Sequence, residues 1–514
     1  MRNYASGASA PKAAGGAVRR RRSCGGPRPP FASAPLRLGA RGLLCATLAA
    51  PGARAYDAAV DTSFAAQLYQ VTGPYNGPNI GRQRYTETLS LRVWDLQGAH
   101  EPGAPTLTAV ARLRLDADLG IDPAEQSSSN PSRFIPGLAE EPLDLMMAYV
   151  EGRGYAGGVL GFRLGRQYVV DPLGFWSFDG GMVRVDTQAH FSVEAYGGAE
   201  QRGDPTMLST SRFEADGVWR GNRRGLDDSL LPAYLSETRL APAYGFTVAT
   251  SGLDFLDARV TYRKVVDRDT VVVSPFPDAL GNYQRVSGDR VSTEKVGGAL
   301  IATAKGVGTV RGDVVYDALV KKPSEYSASV ESGVVPSLEL CADVGYFLPT
   351  FDGDSIWNWF EHMATTTLDG RVRWQTTHRL SFGATGGVRR FDASGSSTLF
   401  DVLGSIDGLY RSATETARLR AMDEHGERGR RRGADASLTR LFVGGTYEAG
   451  ASVSLYDWND ALRPSNTTTS FTYVLRGGYR PFRRTRVGLE WEHSMSELVG
   501  QRMRVLCTLD LTVL

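Results

Sequence analysis

Charged residues separated by an even number of positions recur along this chain, often with the sign changing between them. Arg112, Arg114 and Asp116 make one such set, Arg184 and Asp186 with Glu194 another, Arg259 and Arg263 a third, and Arg311 with Asp313 a fourth. Arg163, Asp171 and Asp179 add single charges between the first two sets. On an extended chain, residues two apart point to the same side. Cations and carboxylates arrayed that way build a transverse field that sorts dissolved solutes by charge and size. His100, His190, His362, His378, His425 and His493 lack the spacing of a metal site. No catalytic residue, cofactor or metal is expected.

The elements that would hold these charges are long amphipathic strands. From Met182 to Gly198 the odd positions read Val183, Val185, Thr187, Ala189, Phe191, Val193, Ala195 and Gly197, and the even ones include Arg184, Asp186, Gln188, His190, Ser192 and Glu194. This reads as one strand with an apolar side and a charged side. Strands of soluble domains stop after about 5–6 residues, whereas this one would reach about 50 Å at roughly 3.3 Å per residue, enough to cross a bilayer at a tilt. The apolar side would then face lipid and the charged side a lumen.

The pattern returns along the chain. Thr106–Leu119 alternates Leu107, Ala109, Ala111, Leu113 and Leu115 with Thr108, Arg112, Arg114 and Asp116. Leu256–Val265, Val307–Val320, Ser337–Tyr346 and the terminal Met503–Leu514 behave likewise. The link from Leu96 to Pro105 is short and the one after Gly120 is long, the asymmetry of a barrel with short periplasmic turns and long outer loops. Asp423–Arg432 is dense in charge and reads as a solvated loop. Trp94, Tyr149, Tyr168, Trp374, Tyr447, Tyr479 and Trp491 lie near strand ends, where an interfacial girdle would place them. The expectation is an all-β transmembrane antiparallel β-barrel of about 16–18 strands, wide enough for a water-filled lumen.

Residues 1–55 differ from the rest. They carry Arg19–Arg22 and end in an apolar stretch, Leu43–Ala50, before a small-residue cleavage signal at Ala53-Arg54-Ala55, so they read as a leader cleaved near Tyr56. Residues 56–514 would be a single barrel. The leader holds ten Lys and Arg and no acid, so its removal takes the formal charge from +2 to −8. An acidic mature chain argues against nucleic acid as a partner. No run of about 18 apolar residues exists, which excludes a helical span but not a barrel. Cys341 lies among polar-side residues and Cys507 among apolar-side ones, so the two are not expected to bridge.

The signal peptide, the amphipathic strands and the alternating last strand resemble the bacterial outer-membrane porins and porin-like barrels. The run Gly161-Phe162-Arg163-Leu164-Gly165-Arg166-Gln167 is similar to the strand that precedes the constriction segment in many porins. The resemblance implies that Tyr168–Gly180, with Asp171, Trp176 and Asp179, folds into the lumen or else forms a plain turn. Leu514 stands where such barrels more usually end in Phe. Gly353-Asp354-Ser355-Ile356 resembles the nucleophile block of one esterase family, but the α/β strand that should precede it is absent.

The function these readings imply is passive diffusion of small hydrophilic solutes across the outer membrane of a Gram-negative bacterium. The alternative is a non-conducting barrel with a structural or adhesive role, occluded by Gln201–Ala243 and Arg389–Arg432. Expected partners are outer-membrane lipid, the solutes and the outer-membrane assembly machinery, with a homotrimer left open.

Overall fold

The computed structural model describes residues 57–72, 79–98, 103–118, 143–201, 241–273, 285–350, 363–392, 398–460, 463–497 and 500–513. The leader, the Gly353–Ile356 motif, the side chain of Asp116, residues 202–240 of the Gln201–Ala243 segment and Leu514 lie outside the described residues.

Among the described residues, twenty-two strands run in chain order. They are β1 (Asp57–Thr72), β2 (Asn79–Trp94), β3 (Thr106–Asp118), β4 (Leu143–Tyr155), β5 (Leu160–Asp171), β6 (Gly174–Asp186), β7 (Phe191–Glu200) and β8 (Pro242–Thr250). Then come β9 (Leu256–Val273), β10 (Arg285–Ala304), β11 (Gly308–Asp317), β12 (Lys322–Val335), β13 (Leu338–Phe347), β14 (Ala364–Thr377) and β15 (Leu380–Asp392). The last are β16 (Thr398–Arg411), β17 (Glu415–Gly426), β18 (Gly429–Phe442), β19 (Tyr447–Asp460), β20 (Arg463–Phe482), β21 (Thr485–Ser496) and β22 (Gly500–Thr512). Each pairs antiparallel with its neighbours in sequence, and β22 returns to β1 with Phe64 opposite Leu509 and Thr72 opposite Gln501. The sheet closes on itself as a barrel, the arrangement that pairs strand edges with one another in hydrocarbon. At about 4.8 Å between strands and a tilt of about 40°, such a ring is roughly 40 Å across between backbones.

Burial is inverted relative to a soluble protein. The convex face of an isolated barrel is open and its concave face is shielded by curvature. The shielded residues are largely polar, among them Thr88, Asp144, Gln167, Thr261, Arg263, Asp317, Asp401 and Glu492. The open ones include Leu164, Val260, Val330, Leu368, Ile406, Leu419 and Leu455. Along most of the wall the apolar side of the strands is therefore the outer one. Cys341 sits on the inner face and Cys507 on the outer, both as free thiols, as the sequence implied.

The strand count exceeds the expected 16–18 because four strands are hidden in the sequence. Met182–Gly198 is a hairpin rather than one strand: β6 ends at Asp186, the chain turns through Thr187–His190, and β7 begins at Phe191. His190 takes φ +59° in that turn. Asp186 pairs with Ser192 and Val185 with Val193, so odd faces odd across the turn and the alternation runs through it unbroken. β12 has an outer face of Tyr326, Ala328 and Val330 between serines, and β16 places Leu403 and Leu409 on the inner face, which blurs its period. Asp423–Arg432 is not a loop: Asp423 pairs with Arg432, Glu424 with Arg431 and His425 with Arg430 around a turn at Glu427-Arg428. Within Arg389–Arg432, the described residues 389–392 and 398–432 thus belong to wall strands and their turns, not to an occluding segment.

Candidate functional site

Among the described residues, one hairpin departs from a plain cylinder. β5 and β6 leave the wall near their shared tip and fold inward over β7–β10. A row of three paired glycines marks the crease, with Gly165 opposite Gly180 and Gly180 opposite Gly198. A Cβ on Gly165 would lie 2.3 Å from the Ala148 carbonyl oxygen, one on Gly180 2.2 Å from that of Gly197, and one on Gly198 2.2 Å from that of Asp179. All three are inner-face positions, where inward folding squeezes backbones together and leaves no room for a side chain. Gly165 also takes φ +126°, which side chains rarely allow.

Beyond the crease the hairpin lies on the inner wall like a flap. Its wall-facing residues, Val169, Trp176 and Phe178, are buried with Met182, Tyr196, Ala243 and Val265 in a small apolar core. Trp176 stacks on Phe178 at 4.4 Å between ring centroids and meets Tyr196 at 5.4 Å, and its Nε1–H donates to Glu200 at 2.8 Å. At the tip, Pro172 and Leu173 cover the inner face of β10 so closely that a Cβ on Gly297 would lie 2.7 Å from Leu173 Cδ2.

One ion pair fastens the tip. Arg263 on β9 donates to Asp171 Oδ2 at 2.7 Å, with the two side chains only 7% and 6% exposed. The Arg263 guanidinium lies 4.8 Å from the Trp176 ring centroid, and Asp171 Oδ1 accepts the Leu173 backbone N–H at 2.8 Å. On the convex side of the crease Arg166 makes a bidentate pair with Asp179 at 2.8 and 2.9 Å. Pairing of β4 with β5 stops at Ala148 opposite Arg166 because β5 has folded away, and Arg166 Nη1 caps the Leu145 carbonyl at 3.0 Å.

The sequence-selected charges fall into distinct situations. Arg112, Arg114, Arg163, Arg184, Asp186, Glu194, Arg259, Arg263, Arg311 and Asp313 occupy inner-face positions, as does Asp116 by register. Several are bound to neighbours: Arg114 to Asp144 at 2.9 Å, Arg163 to Glu151 at 2.9 Å, Arg184 to Asp186 at 2.9 Å and Arg311 to Glu331 at 3.7 Å. Asp313 accepts from the Ser327 hydroxyl. Asp171 belongs to the flap tip, locked to Arg263. Asp179 does not join the others, because it lies on the opposite side of β6 from Arg184. Among the aromatics, Trp374, Tyr447, Tyr479 and Trp491 are on the outer face, with Tyr447 and Tyr479 stacked at 5.0 Å. Trp94 and Tyr149 point inward instead, under Arg92 and Arg163 respectively.

Sequence reading missed a charge ladder on the last three strands. Across β20–β22, Arg476 meets Glu490 at 2.7 Å, Arg504 joins Glu490 and Glu492 at 2.7 Å each, and Arg502 closes on Glu492. The signal was the i, i+2 spacing of Glu490 with Glu492 and of Arg502 with Arg504 on successive strands. A second group surrounds a cleft of about 530 Å³ between β16 and β20, lined by Asp401, Glu424, Arg428, Arg431, Tyr456 and Trp458. No group of three or more metal-ligating side chains occurs among the described residues.

No protein-family model and no curated protein matches the chain. Among solved structures it is similar to OccAB4 of Acinetobacter baumannii, at 9% identity over 89% of this chain and 98% of that one, with a TM-score of 0.42. OccAB1 of the same organism matches at 12% identity over 89% and 96%, with a TM-score of 0.39. The outer membrane protein opdK of Pseudomonas aeruginosa matches at 10% identity over 89% and 98%, with a TM-score of 0.38.

Proposed function

We propose that the chain is an outer-membrane channel through which small hydrophilic solutes diffuse, with the charged inner wall facing water and the apolar outer face in lipid. The observation that carries this reading is the inversion of burial in a closed barrel. A ring of exposed Val, Leu, Ile and Phe is stable only in hydrocarbon, and an inner wall of ion pairs only around water. A ring of 22 strands encloses far more space than its inner side chains fill. The inner-face charges, including Arg112, Arg114, Arg163, Arg184, Asp186, Glu194, Arg259, Arg311 and Asp313, line the pathway, and the β5–β6 flap narrows it on one side. The flap lies at the end that carries the longest connections, which in this reading faces the exterior. The Gram-negative outer membrane, export by a signal peptide, insertion by the assembly machinery and any association into trimers belong to the same proposal.

Reconstitution into planar bilayers tests it. Unitary current steps in potassium chloride are the expected result. Silent membranes containing correctly inserted protein would replace the channel with an occluded barrel of structural or adhesive role.

A further inference from the structure

The crease does more than narrow the lumen: it turns over the other side of the hairpin. Tyr168, Val170 and Phe175 have the parity of lipid-facing residues. Had β5 and β6 stayed in the wall, they would lie in the outer belt. With Val169, Trp176 and Phe178 packed down on the inner wall, and Leu173 against the inner-face Gly297, the opposite side of the flap points to the barrel axis. Val170 and Phe175 are 65% and 67% exposed there, and the Tyr168 and Phe175 rings lie 5.4 Å apart, tilted by 30°. An apolar patch thus stands on the axis side of the flap, inside a lumen whose wall is largely polar.

We propose that Tyr168, Val170 and Phe175 are specificity-determining residues that hold solutes with one apolar ring face, such as aryl glycosides, in preference to wholly polar sugars. This rests on the channel reading and names the solute class for it. The patch is two rings wide, which matches a single-ring solute. It is far below the roughly 1,200 Å² that a stable protein partner buries, and a folded partner has no route to the inside of the barrel. Ring-on-ring contact contributes about 0.5–1.5 kcal/mol beyond area burial, equivalent to about 2- to 12-fold in occupancy.

The experiment uses Val170→Cys in a Cys341→Ser/Cys507→Ser background, reconstituted in liposomes, with phenyl-β-glucoside and glucose as probes. A charged aqueous thiol reagent is expected to modify Cys at position 170. Phenyl-β-glucoside is expected to slow that modification about 3- to 10-fold, and glucose less than twofold. Adding Phe175→Ser, at a position two-thirds exposed, should abolish the difference. Equal protection by both probes, protection that survives Phe175→Ser, or a thiol inert because another segment of the chain covers the patch would each overturn the proposal. Protection is read without ionic current, so failure of the channel reading shows separately, as absent conductance in the same preparation.

Discussion

Replacing Arg263 by Leu should release the flap. Arg263 and Asp171 form a pair buried on both sides, so removing the cation strands a carboxylate whose remaining contact in the tip is the Leu173 backbone N–H. Breaking a buried pair from one side costs about 3–5 kcal/mol, whereas replacing both partners by apolar groups is often neutral. The apolar contacts of Trp176 and its neighbours stabilise the closed flap by about 1.5–3 kcal/mol per fully buried side chain, so the two terms are comparable. Arg263→Leu should therefore move the ratio of closed to open flap by roughly two to four orders of magnitude. In single-channel recordings this appears as frequent excursions to a level of higher conductance. Asp171→Leu combined with Arg263→Leu should return the trace close to that of the parent protein. A quiet Arg263→Leu channel, or a double variant as noisy as the single one, would refute the assignment of this pair as the fastening.

The crease predicts that Gly180→Ala, whose Cβ would lie 2.2 Å from the Gly197 carbonyl, opens the flap in the same recordings. Gly386→Ala, with nothing within 4 Å, should leave them unchanged. On the outer face, Leu419→Arg should weaken membrane insertion by about 2–4 kcal/mol in a folding titration, while Arg418→Ala, on the inner face of the same strand, should insert normally. Glu490→Gln with Glu492→Gln leaves Arg476, Arg502 and Arg504 without their ladder carboxylates, so the reversal potential in a salt gradient should shift toward anion permeation. An unchanged potential would place this ladder off the ion path.

The barrel was legible in the sequence because a period of two with one greasy side is a sufficient statement of a strand between lipid and water. Strands such as Thr106–Asp118 and Gly500–Thr512 carry it in plain form. The count was not legible where the pattern survives a turn, as between Asp186 and Ser192, or where the outer side is small, as in Ala328. The inner position of Arg184, Glu194, Arg259 and Arg263 follows from parity alone. Their partners do not, since Arg263 meets Asp171 through a fold at Gly165, Gly180 and Gly198 that joins residues 92 positions apart. Asp179 illustrates the limit: it lies in the middle of β6, yet it faces away from Arg184 and pairs with Arg166 at the crease. The glycines themselves were visible, but only their pairing in one row reveals that they form a hinge line.

Cys341 and Cys507 offer the most direct test of the central claim that the charged face encloses water and the apolar face meets lipid. The two thiols lie on opposite faces, Cys341 beside Asp343 and Cys507 opposite Leu489 and Ala66. In liposome-reconstituted protein, a membrane-impermeant charged thiol reagent, read out site by site by mass spectrometry, should modify Cys341 and spare Cys507 until detergent is added. Ready labelling of Cys507 with Cys341 protected would contradict the account.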